Sequence, residues 1–218
     1  MKRLLAALGI AGVFWGAQAL CLGQLVTVKA EHPSRLVVPN PQIAKVLVSD
    51  FENLAADLLW IQSLQHNGDQ LIDDEEKRDF RGMYEALDLA SDFDPRFHEL
   101  TTFGSWMLAD GKRTPEAIRL LEKGQARYPD LWMYPYQLGF IEFLYAKDYL
   151  KAAQHFDQAA ALPNCPPSAR HMAAGLYAKG NKRDLAVATW QAIYERGDDR
   201  VRGIARRALK RLGVAVPE

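Results

Sequence analysis

The residue types that carry chemistry are present in this chain, but their spacing does not assemble them. Five histidines stand at positions 32, 66, 98, 155 and 171, and none pairs with another at a ligand-like interval. The two cysteines, Cys21 and Cys165, are too few for a disulfide framework or a metal cluster, and no CxxC or CxxCH occurs. Cys165 reads as a loop thiol rather than a nucleophile, because no histidine stands beside it to act as a base. The acids Asp73, Asp74, Glu75 and Glu76 are consecutive. Neighbouring side chains diverge instead of converging on one ion, so the run reads as a solvated loop or a helix start, where acids favour the helix N-terminus. Asp57, a lone acid inside an apolar run, reads as a structural acid, exposed or hydrogen-bonded. No glycine-rich phosphate loop, HExxH or GxSxG is present. The expectation is a protein that is not an enzyme, with no cofactor and no metal.

What the chain does contain is helical periodicity. Between Asp148 and Pro163, Tyr149, Ala152, Ala153, Phe156, Ala159 and Ala160 recur at three- and four-residue steps and share one face. Pro163 ends that helix, since proline cannot continue the hydrogen-bond ladder. Hydrophobic residues make up 49% of the 218, enough to bury a core. Lys plus Arg and Asp plus Glu both number 27, a balance that argues against a general nucleic-acid binder, which needs a basic footprint.

The helix recurs. Pro95, Pro129 and Pro163 lie 34 residues apart, each after an amphipathic run. Ala117 and Leu121, Ala152 and Phe156, and Ala186 and Trp190 repeat one pattern of small then large residue. Phe103-Gly104, Leu138-Gly139 and Met172-Ala173 each precede those alanines by fourteen residues, on a companion helix. A small residue on each partner lets two backbones approach, and the large residue one turn on fills the space beside them. With these offsets the chain resembles the tetratricopeptide repeat (TPR) superfamily over about residues 51–212. The resemblance implies an all-α fold: a solenoid of about four helix pairs with a C-terminal cap. The repeats would run over about 49–95, 96–129, 130–163 and 164–197, with an insertion at 67–80 and a cap at 199–212.

The ends and the first repeat have their own signals. Residues 1–26 open with Lys2 and Arg3, then run apolar from Leu4 to Val26. Ala17-Gln18-Ala19 suits signal cleavage, while the apolar length suits a membrane anchor; both readings stay open, and both carry the remainder across the membrane. Leu20 before Cys21 does not fit a lipoprotein signal. Pro33, Pro39 and Pro41 predict an extended spacer over 27–48. Ser49 with Glu52 predicts a capping box that starts the first helix, on which Leu54, Leu58, Ile61 and Leu64 form one stripe. Asn67-Gly68 predicts a turn. The string FENLAADLLWIQSLQ resembles the first repeat of bacterial membrane-anchored TPR proteins with an ADLLW segment, a group with no assigned reaction. That resemblance implies a location in the bacterial envelope: anchored in the inner membrane facing the periplasm, or exported to the periplasm.

TPR arrays present a concave groove lined by the first helix of each pair, where peptides or partner helices dock. Here that lining comprises Met133, Tyr136, Phe140 and Phe143 in repeat three, Arg170 and Tyr177 in repeat four, and Thr101, Ser105 and Leu108 in repeat two. The expected function is a scaffold or assembly factor holding a protein partner in a membrane-associated complex, with no nucleic acid. The alternative is an accessory subunit or small-ligand carrier using the same groove. The helix Asp199–Leu212 is apolar on one face and basic on the other. It reads as the cap, or as a contact for anionic lipid or an acidic partner.

Overall fold

The structure, a computed structural model, describes residues 36, 38–72 and 78–215. Every regular element among them is helical. In chain order they are α1 Pro41–Val48, a short 3₁₀ turn Ser49–Phe51, α2 Glu52–Ile72, α3 Met83–Phe93, α4 His98–Asp110, α5 Thr114–Arg127, α6 Met133–Ile141 with a π turn Glu142–Ala146, α7 Tyr149–Ala161, α8 Ser168–Lys179, α9 Arg183–Arg196 and α10 Asp199–Arg211. The apolar run at 4–26 and the acids at 73–76 lie outside the described residues. No described helix is long and apolar enough to cross a membrane.

Each helix from α2 to α10 that follows another by a short link packs on it, and α3 and α4 also reach α5 and α6 respectively. Helices α4, α6 and α8 start 35 residues apart, at His98, Met133 and Ser168. The links inside the hairpins repeat as well. Lys112, Lys147 and Asn181 all take positive φ, at 61°, 59° and 58°, a left-handed residue that reverses the chain between paired helices. Helix α6 ends in the π turn, which widens the helix before the reversal at Lys147.

The small residues sit where the helices approach. Ala117, Ala152 and Ala186 are fully buried. A methyl added at Gly104 would stand 3.0 Å from the Leu87 side chain, and one at Gly139 would stand 2.8 Å from the Phe156 ring. Phe156, Leu121, Leu87 and Leu138 fill the space beside them and are fully buried too. Polar links tie alternate helices: Lys123 Nζ reaches Asp88 Oδ1 at 2.5 Å and Asp92 Oδ1 at 2.9 Å, and Arg127 donates to Asp92 and to the Ser91 carbonyl. Burial raises the Asp92 carboxyl, but the hydrogen bonds from Lys123 and Arg127 outweigh it and hold the group below its ordinary value.

The first repeat differs from the sequence expectation in three ways. The first helix among the described residues starts at Pro41, not Ser49. The Asn40 side chain accepts hydrogen bonds from the backbone of Gln42 at 3.0 Å and Ile43 at 3.3 Å, and proline suits the first turn, so proline starts a helix where an extended spacer was expected. Asn67-Gly68 is not a turn, because α2 continues through it to Ile72. Finally, the stripe of Leu54, Leu58, Ile61 and Leu64 faces solvent. The buried face of α2 is Ala56, Leu59, Ser63, His66 and Gln70. His66 Nε2 lies 2.7 Å from the Asp79 carbonyl, and Gln70 Oε1 accepts from the Asp79 N–H, so these polar residues dock the returning chain. Arg81 grips the Asp79 carboxylate and lowers its pKa to about 2. Leu36 and Val38 pack against the first core cluster, and Asp57 is exposed.

Candidate functional site

The first helices of the hairpins carry a ladder of aromatic rings. Trp132 meets Tyr136 at 5.4 Å between centroids, Tyr136 meets Phe140 at 5.1 Å, and Phe140 meets Trp106 of α4 at 6.2 Å. Tyr136 and Phe140 also lie edge-on to Phe156, at 5.4 and 5.0 Å. Phe143 tilts against Tyr149, and the Lys179 ammonium caps both rings at 5.2 and 4.9 Å. Two polar links fix the row: Trp106 Nε1 donates to Gln137 Oε1 at 2.8 Å, and the Tyr145 hydroxyl donates to Asp110. Desolvation and the adjacent Asp110 carboxylate push the Tyr145 hydroxyl up to about 12.

This geometry sorts the expected groove residues. Met133, Tyr136, Phe140 and Phe143 lie on one helix and are half-buried, each with part of its side chain in water. Arg170 is half-buried, and its guanidinium donates to the Ala160 carbonyl at 3.3 Å. The others do not line a surface. Tyr177 is only 6% exposed, and Thr101, Ser105 and Leu108 are buried as well. In repeat two, His98 Nδ1 meets the Tyr134 hydroxyl at 2.8 Å, so α4 and α6 close on each other and cover the residues between them.

A separate cavity of 320 Å³ lies at the link between α7 and α8, lined by Cys165, Pro166, Pro167, Arg170, His171 and Arg196 among others. The fold therefore brings His171 to the same cavity as Cys165, which the sequence did not suggest. Each of the two is engaged elsewhere. Burial raises the Cys165 thiol, which donates to the Pro166 carbonyl oxygen 3.7 Å from its Sγ. His171 stacks on Trp190 at 5.9 Å, and burial lowers its pKa, so it is a neutral packing ring at pH 7. Among the described residues no group of three His, Cys, Asp or Glu is placed to hold a metal ion.

No family model matches the chain, and no curated protein matches it.

Proposed function

We propose that this chain is a non-enzymatic TPR-type scaffold that holds a protein partner in an envelope complex, tethered by residues 4–26 or exported after their cleavage. The repeat reading is supported by the 35-residue recurrence of α4, α6 and α8, the left-handed residue in each hairpin link, and the buried alanines at the points of approach. The observation that carries the functional reading is the aromatic row of α6. Rings with one side packed and one edge in water are preorganised, so a partner covering Met133, Tyr136, Phe140 and Phe143 orders little on binding. Such residues supply most of the energy of protein interfaces.

Alanine substitutions are a poor test, because Phe140 also fills the space against Phe156. The test is a charge at the wet edge: Met133→Glu combined with Phe143→Lys. Full-length variant and wild type are affinity-captured from solubilised membranes and their co-purifying proteins quantified. The expected result is at least tenfold loss of one defined partner with the helical circular-dichroism signal retained. An identical set of partners from both proteins rejects α6 as the binding surface. A reporter active only after export, fused behind Glu218, tests the location; activity that survives deletion of residues 1–26 rejects export.

A further inference from the structure

Of the twelve large apolar side chains that stand exposed among the described residues, nine lie between Ile43 and Ile72. Seven of these nine are on the 3₁₀ turn and α2, and five of the seven belong to one seam. Phe51, Leu54, Leu58, Ile61, Gln65, Gly68 and Ile72 follow one another at alternating steps of three and four residues. Its members Phe51, Leu54, Leu58 and Ile61 are 68%, 53%, 59% and 48% exposed, and Ile72 is 86% exposed. A three-four alternation held for three heptads is the pattern by which one helix packs lengthwise on another. The opposite side of the same heptads, Ala56, Ser63 and Gln70, is buried in the domain, so the seam points directly away from it. At Gly68 an added methyl would meet nothing within 4 Å, which leaves room for a backbone to approach.

We propose that α2 pairs antiparallel with α2 of a second copy of this chain, seam to seam. The seam is complementary to itself. When two copies run antiparallel, Leu58 faces Gly68 of the second copy, Leu54 faces Ile72, and Ile61 faces Gln65. The large residue meets the small one, and Gln65 supplies the single polar core position that fixes a register. The charges agree. Helix α2 has no Lys or Arg; its acids are Glu52, Asp57 and Asp69. In this arrangement Asp57 borders Leu71 of the second copy and Asp69 borders Ala55, so no carboxylate meets another. A seam bordered only by acids is unsuited to an anionic bilayer surface, which attracts basic faces. Covering the five exposed apolar side chains of the seam and the flanking Leu64 and Leu71 removes on the order of several hundred Å² per copy, approaching one side of a standard interface, about 800 Å². This surface is on α2, separate from the aromatic row of α6, and its test is independent of any other partner.

The experiment uses full-length protein in detergent micelles, in a Cys165→Ser background that keeps Cys21 as a reporter on the apolar segment. Protein with Leu58→Cys is mixed with protein with Gly68→Cys and oxidised mildly. The expected product is a disulfide-linked dimer joining positions 58 and 68, at least tenfold above that formed by Leu185→Cys, an exposed position on α9. Adding Ile61→Glu lowers the yield at least tenfold while the helical signal stays unchanged. Yields no higher than the Leu185→Cys control overturn the proposal, as does a yield that Ile61→Glu leaves intact. A disulfide between position 58 and Cys21 of the same chain overturns it in favour of the chain's own apolar segment. Dimers formed by Leu58→Cys alone in preference to the mixture overturn the antiparallel register.

Discussion

At the scale of single residues, two glycines on equivalent kinds of helix have opposite consequences. Alanine is about 1 kcal/mol better than glycine in a helix interior. At Gly175 nothing lies within 4 Å of the added methyl, so Gly175→Ala raises the unfolding midpoint. At Gly139 the methyl meets the Phe156 ring at 2.8 Å, and Gly139→Ala lowers stability by about 1–3 kcal/mol despite the better propensity. Thermal unfolding of both variants checks the signs; a stabilised Gly139→Ala would mean that α6 and α7 do not approach there. Glu142 makes a second prediction. It is 3% exposed, and burial raises its carboxyl above the ordinary 4.5, with Lys151 Nζ at 3.9 Å drawing the other way without reversing the shift. Above pH 4.5 the unfolded chain has released a proton that the native state still holds, so stability falls as pH rises through the folded value. Glu142→Gln flattens that fall and leaves the protein at least as stable at pH 7. Urea midpoints from pH 4 to 8 measure it, and an unchanged slope contradicts it.

At the scale of elements, the hairpins were legible because two signals agree there. Ala152, Phe156 and Ala159 are both periodic and the residues that pack, and all three are fully buried. The capping of α7 was not seen in sequence, although Asp148 accepts from the Lys151 N–H at 3.0 Å. Asp148→Ala costs about 1 kcal/mol, read from denaturant midpoints; no loss would mean the cap is replaced by water. The inward face and the C-terminal extent of α2 were misjudged for one reason: its buried face is partly polar. Ser63, His66 and Gln70 are satisfied by the Leu59 carbonyl and by the Asp79 backbone, contacts that hydrophobic periodicity cannot register. The groove residues of repeat two failed for a different reason. Repeat offsets place Thr101 and Ser105 on one helix, but whether they meet water depends on how closely α6 approaches α4, and that is set by Tyr134 and His98 from two repeats.

At the scale of the whole molecule, the last helix covers the helix before it. Ala205, Ala208 and Leu209 cover Trp190 and Ile193, while the Asp198 side chain caps α10 by accepting from the Val201 N–H at 2.8 Å. Arg200, Arg202, Arg207, Lys210 and Arg211 stay on the outside, while Arg206 is half-buried over the Tyr194 ring. Ending the chain after Gly197 uncovers that cluster, and the truncated protein is expected to lose solubility and unfold at lower temperature. A truncation that stays soluble and melts unchanged would show that α9 closes the array unaided. The basic face offers a readout besides stability, since full-length protein that shifts its sedimentation with anionic but not neutral vesicles would assign it a lipid contact.

The packing of each helix on its sequence neighbours also makes the chain a spring. Force applied between Pro41 and Leu212 is shared among three core clusters along the chain, a large one from Ala44 to Ile141 and two smaller ones after it. Every 35 residues, the spacing of α4, α6 and α8, extend to roughly 120 Å of slack when freed. Loaded from its two ends, a chain so divided lengthens in discrete steps, one cluster at a time.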